Sequence, residues 1–165
     1  MSEIAAAGGA PAARADTLCR VDAGALSHDE AVAFVTADDC GAVATFLGVT
    51  RDSFEGKRVV KLSYEAYTPM AEAKMREICD RARGEFGAKR CAILHRVGEV
   101  AVGESSVIIA MASPHRRDAL SAVAWAIDEL KTTVPIWKKE VYADAAAAWK
   151  ANAEWDPGAL AAPST

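Results

Sequence analysis

No CxxC pair occurs in this chain, and its four cysteines (Cys19, Cys40, Cys79 and Cys91) do not combine with its three histidines at zinc-finger spacing. A structural metal module is therefore not expected. Cys40, Cys79 and Cys91 fall in apolar settings and read as small buried hydrophobes. No apolar run reaches the length of about eighteen residues that a membrane-spanning helix requires. Positive charge is not in excess either: the formal net charge is -4, which argues against a surface built to coat nucleic acid. GxSxG, HExxH, a glycine-rich phosphate loop and a carboxylate pair at catalytic spacing are all missing. The small-residue stretch AAAGGAPAARAD has no basic leader followed by an apolar core, so it reads as a disordered arm and not as a signal peptide. With unpaired cysteines and no leader, the expected compartment is a reducing cytoplasm.

What the chain does have is the content of an ordinary globular domain, 52% apolar and 25% charged. Its 165 residues are enough for one core without covalent staples. The expected division is an arm over 1–16, one domain over 17–142 and a C-terminal helix or tail over 143–165.

Hydrophobic spacing predicts the order helix, two strands, helix, two strands, helix, strand. Ser27 followed by Glu30 has the form of a capping box and opens a helix over 27–38. An apolar run over 40–48 reads as a buried strand. Residues 59–67 alternate, with Val60, Leu62, Tyr64 and Ala66 on one face. The two strands are expected to form a hairpin around a loop turning at Gly56. Thr68-Pro69 caps a helix with Ala71, Met75, Ile78, Cys79, Ala82 and Phe86 at helical spacing, stopped by Gly87. Residues 90–97 and 105–112 are strands joined through Gly98 and Gly103. Ser113-Pro114 opens a helix whose stripe is Leu120, Val123, Ile127 and Leu130, and a last strand covers 135–142. DAAAAWKANAEW reads as a loose helix. Strand–helix–strand repeated twice gives an α+β two-layer sandwich with helices on one sheet face.

Basic residues punctuate the junctions of these elements. Arg51 follows Val49-Thr50 at a strand end, and His115-Arg116 stand in a first helical turn, where free N–H groups favour an anion. Lys131 closes a helix and Lys138-Lys139-Glu140 follow in KTTVPIWKKE. Each alone has a plain explanation: a solvated arginine, a local cap, a cation at a helix C-terminus, or an edge-strand guard. Their concurrence in an acidic chain points to a gripped anion, and crowded ammonium groups make one lysine available as acid, base or nucleophile. His95, inside an apolar strand, reads as a core histidine.

The runs GAVATFLGVTRDSFEGKRVVKLSYEAYTPMAE, ILHRVGEV, SPHRR and LKTTVPIWKKEVY, in this order over roughly residues 17–142, closely resemble the large, catalytic subunit of molybdopterin synthase. Pro114, where the family often has alanine, and Thr133, where some members carry arginine, depart from the pattern. The resemblance implies an α/β hammerhead-type sandwich with an additional antiparallel β portion. It implies a sulfurtransferase of molybdenum cofactor biosynthesis that converts cyclic pyranopterin monophosphate to molybdopterin. Two sulfurs arrive from the thiocarboxylated C-terminal Gly-Gly of a small ubiquitin-like subunit, so no metal or redox cofactor is needed. A homodimer forms the core of a heterotetramer with that partner. Matching positions make Lys131 and Lys138 catalytic, and place Val49, Thr50, Arg51, His115, Arg116, Lys139 and Glu140 with them in the substrate pocket. The competing expectation is a non-catalytic anion-binding sensor or scaffold on the same sandwich.

Overall fold

A computed structural model describes residues 15–143 and the backbone of 148–151. Two apolar strands organise it. β5 (Arg90–Arg96) and β7 (Ser105–Ser113) pair antiparallel at the centre of a four-stranded sheet, flanked by β1 (Thr17–Asp22) beside β5 and β2 (Ala42–Val49) beside β7. Side chains alternate across a strand. Cys91, Ile93, Ile109 and Met111 therefore face one layer, and Ala92, Leu94, Ile108 and Ala110 the other. Both faces are covered, which is why these two strands are apolar almost throughout. Each fully buried Ile, Leu or Met here is worth about 1.5–3 kcal/mol of transfer free energy.

The two long helices, α2 (Thr68–Phe86) and α3 (Arg116–Thr133), pack on the first face as expected. The short helix α1 (His28–Val35) closes the opposite face with Ala31 and Val35, so the helices do not all share one side. Ser27 caps α1 by accepting the Glu30 N–H at 3.1 Å, the expected capping contact. α2 ends at Gly87 in the left-handed conformation. Its start differs: Tyr67 is the N-cap, without a side-chain bond, and Thr68 is already helical. Likewise His115, not Ser113, is the N-cap of α3, because Ser113 still belongs to β7. The buried stripe of α3 is Ala119, Ala122, Val123, Ala126 and Leu130, whereas Leu120 is 63% exposed. Small alanines let this helix lie close to the sheet, and a stripe of large apolar residues alone does not mark them.

The second sheet has five strands: β3 (Ser53–Phe54), β4 (Lys57–Ala66), β8 (Ile136–Tyr142) and β9 (Ala148–Ala151) in that order, with β6 (Gly98–Ala101) also paired to β4. The expected hairpin of 40–48 with 59–67 is not formed. β2 pairs with β7 and β4 pairs with β8, so the two lie in different sheets. β2 is an edge strand with Val43, Leu47 and Val49 exposed, not a buried one. A register shift between Val59 and Lys61 buries Val59 and turns Val60 outward, which breaks the alternation read for that strand. Strands β1, β3, β6 and β9 were not foreseen; residues 148–151 pair with β8 as a strand, where a helix was expected. The remaining residues of both terminal segments lie outside the described residues. No helix among the described residues is long and apolar enough to cross a membrane.

Candidate functional site

The two sheets meet through a buried polar seam. The Tyr64 hydroxyl on β4 contacts Ser106 Oγ on β7 at 3.3 Å, and Ser106 donates to the Gly48 carbonyl on β2 at 3.3 Å. Burial raises the Tyr64 pKa above its ordinary value, so the phenol stays protonated. Beside this seam opens a cleft of about 400 Å³. Its apolar lining includes Phe46, Leu62, Val107 and Ile127; its charged lining is Arg51, Lys131, Lys138 and Glu140.

The four charged groups reach the cleft from three places in the fold. Arg51 follows the end of β2, Lys131 sits in the last turn of α3, and Lys138 and Glu140 share one face of β8 by strand alternation. Pro135 lies in the short joint between α3 and β8, where it ends the helical geometry after Lys131. That joint fixes the offset between the two lysines. Glu140 is 4% exposed. Its Oε2 accepts the Tyr142 hydroxyl, and its Oε1 lies 3.8 Å from Lys138 Nζ. A buried carboxylate needs such partners, since desolvation otherwise penalises its charge. The bond to Glu140 is also the main reason that the Tyr142 pKa is pushed up to about 12.

Five of the nine expected site residues line this cleft: Val49, Arg51, Lys131, Lys138 and Glu140. Thr50 is buried just behind them; its N–H donates to the Glu104 carbonyl and its own carbonyl accepts the Gly103 N–H. Its Oγ1 has no hydrogen-bond partner among the described residues. Lys139 lies on the opposite face of β8. His115 and Arg116 stand at the far end of α3 from Lys131. Fifteen residues of helix at about 1.5 Å each separate Arg116 from Lys131 by roughly 22 Å, so these two do not join the cleft of their own chain.

Sequence reasoning missed Phe54, Tyr64 and Tyr142 as parts of the cleft and its support. The available signal for Phe54 was a lone aromatic in an otherwise polar loop. Phe54 and Lys57 pair across a two-residue turn in which Glu55 (φ 49°) and Gly56 (φ 75°) both take positive φ, the mirror-image turn that tight hairpins favour. The turn brings the Phe54 ring to 5.9 Å from Arg51 Cζ and 6.0 Å from Lys138 Nζ.

Comparison with known proteins gives the family and the fold. The family model described as MoaE protein matches residues 21–133. This chain belongs to the MoaE family. It is 50% identical over 129 residues to the human molybdopterin synthase catalytic subunit, covering 78% of this chain and 68% of the human one. The molybdopterin synthase catalytic subunit of Culex quinquefasciatus is 49% identical over 141 residues, covering 84% and 87%. Among solved structures, molybdopterin synthase from Staphylococcus aureus is 35% identical, with a TM-score of 0.76 over 80% of this chain and 96% of its own. The α+β architecture with its added antiparallel sheet is thus the family's fold.

Proposed function

We infer that this MoaE-family chain is the catalytic subunit of a molybdopterin synthase, a sulfur-transfer enzyme of molybdenum cofactor biosynthesis. It converts cyclic pyranopterin monophosphate to molybdopterin, taking two sulfurs from the thiocarboxylated C-terminus of a small ubiquitin-like subunit. The observation that carries this reading is the convergence of Arg51, Lys131 and Lys138, from three separate elements, on one cleft of a net acidic chain. Both reactants are anions, a phosphate-bearing pterin and a thiocarboxylate, and a guanidinium grips such groups in bidentate fashion.

Lys131 and Lys138 are the catalytic pair. One lysine, as the ammonium, holds the thiocarboxylate and polarises its carbonyl; the other protonates the departing oxygen of the pterin or, once it has given up a proton and stands as the neutral amine, bonds transiently to its electrophilic carbon. Glu140 fixes Lys138 from the buried side, and Arg51 takes the precursor's phosphate. Val49 extends the substrate-contacting surface, with Thr50 buried behind it, while Lys139 on the opposite face of β8 stands outside this cleft. His115 and Arg116, being distant from their own cleft, serve the cleft of a second copy. That makes the homodimer, at the core of a heterotetramer, the functional unit. The four free thiols suit a cytoplasmic location.

The test is reconstitution: this protein, thiocarboxylated small subunit and precursor together should yield the dithiolene, and omission of any one should yield none. A sensor or scaffold using the same cleft for binding alone would tolerate Lys131→Arg. The enzyme should not, because arginine neither gives up its proton nor forms an imine.

A further inference from the structure

We propose that Phe54 is a positioning residue for the two cleft cations, holding the Arg51 guanidinium and the Lys138 ammonium in register across one aromatic ring. The proposal rests on the functional reading above for its kinetic consequence, but not for its geometry.

Three observations support it. The ring lies within the cation–π range of about 6 Å from both cations, at 5.9 and 6.0 Å. It is half-buried in the cleft lining, near one charge from the loop after β2 and one from β8. Finally, the local backbone is specialised to put it there: Glu55 and Gly56 form the tight turn that aims β3 back over the cleft mouth. The other side of the same turn carries Lys57, whose Nζ lies 5.7 Å above the Tyr142 ring, and Tyr142 in turn holds Glu140. One hairpin therefore braces both partners of the Lys138–Glu140 pair.

The physical logic concerns like charges. Arg51 and Lys138 repel each other, and both carry long, flexible side chains that solvent would pull apart. An aromatic face offers each a weak attraction at a fixed place without neutralising either, whereas a carboxylate in that position would quench the cleft's pull on an anion. Phe54 can thus order two cations without setting a further carboxylate beside them in addition to Glu140.

Replacement by leucine removes the π face but keeps an apolar side chain; tyrosine and tryptophan keep the face. In the full chain without substrate, NMR of Arg51 Nε–Hε and the Lys138 Cε protons should show upfield ring-current shifts. Phe54→Leu should abolish those shifts, and Phe54→Tyr should retain them. In the reconstituted assay, Phe54→Leu should lower kcat/KM for the precursor about tenfold, mainly through KM, with thermal stability unchanged; tyrosine and tryptophan should restore it. A mere hydrophobic filler would be rescued by leucine as well as by the aromatics. The proposal is overturned if the Arg51 and Lys138 resonances are the same in wild type and Phe54→Leu, or if leucine supports full activity. An inactive wild type with the NMR shifts present would instead remove the functional reading and leave the positioning role standing.

Discussion

The four-stranded and five-stranded sheets carry different reactive residues, cysteine and histidine in one and lysine and glutamate in the other, and put them to opposite uses. In the four-stranded sheet His95 is 4% exposed, Cys91 is fully buried, and Cys19 of β1 meets Cys79 of the overlying α2, Sγ to Sγ at 3.6 Å. Contact with the Cys19 and Cys91 thiols, together with burial, pushes the Cys79 thiol pKa up, and burial pushes the His95 pKa down to about 4, so both stay neutral. In the five-stranded sheet, helices do not bury the charged strand face. Lys138 keeps 28% of its side chain accessible beside the buried Glu140, and β8 delivers both to the cleft. The difference lies in cover as well as in composition. A strand packed between helices can hold a nucleophile only as filler, whereas an antiparallel sheet with one open face can present charge to a ligand.

The sharpest way to break this comparison is at the lysines. Lys131→Ala should abolish turnover while the fold and partner binding persist, because Lys131 is exposed at the end of α3 and takes no part in its buried stripe. Lys138→Ala should be nearly as damaging. Arg51→Ala and Arg116→Ala should act on precursor affinity by about ten- to a hundredfold, the value of a lost charged hydrogen bond. Steady-state kinetics with varied precursor separate the two classes. If Lys131→Ala keeps wild-type turnover and only raises KM, the residue is an anchor.

Arg116 allows a finer cut. If it serves the cleft of a second copy, mixing Arg116→Ala and Lys131→Ala chains should create dimers with one intact site. Random reassortment in a two-fold dimer would restore roughly a quarter of wild-type activity. Either variant alone should stay well below that level. Failure of the mixture to exceed the Arg116→Ala level would place Arg116 outside the shared site.

The cleft was more legible in the sequence than the topology was. Arg51, Lys131 and Lys138 stand at element ends, and strand or helix ends are visible as breaks in period. Pairing partners are not. The 40–48 and 59–67 segments are sequence neighbours with compatible patterns, yet each pairs with a later strand, because long-range burial outweighs the short loop. β1 and β6 are too short to show a period, and the bulge at Val59–Lys61 inverts the reading of Val60. Nor does linear sequence show that His115 and Arg116 lie a helix length away from Lys131. That follows only once both ends of α3 are fixed.

His95 tests the silent side of the comparison at moderate size. Its ring Nδ1 lies 2.9 Å from the Arg96 carbonyl and donates to it, and its ring meets Tyr64 edge-on with centroids 5.2 Å apart. The folded-state pKa of about 4 lies below the ordinary value of 6.5. The unfolded chain therefore binds a proton that the native state refuses, and stability falls as pH drops from about 6.5 towards 4. The full difference is about 3 kcal/mol. His95→Asn should flatten this part of the stability–pH curve, read by denaturant midpoints between pH 4 and 7. A curve with unchanged slope would mean that His95 titrates normally in the folded protein.

The smallest effect on chemistry is expected from the cysteines. Cys19, Cys79 and Cys91 are buried, while Cys40 is only partly covered and lies 3.7 Å from Asp39 Oδ1, contrary to its reading as core. Burial and the neighbouring carboxylate raise the Cys40 thiol pKa, which lowers its thiolate fraction. None of the four lines the cleft. Replacing all four with Ala or Ser should therefore leave sulfur transfer within about twofold of wild type. Stability should drop by about 1–3 kcal/mol, through small cavities and newly buried hydroxyls in the core. The measurement pairs dithiolene yield with the denaturant midpoint of the same preparation. A well-folded variant that had lost transfer completely would make one of these thiols a participant in the transfer, and the four-stranded sheet would then be no mere scaffold.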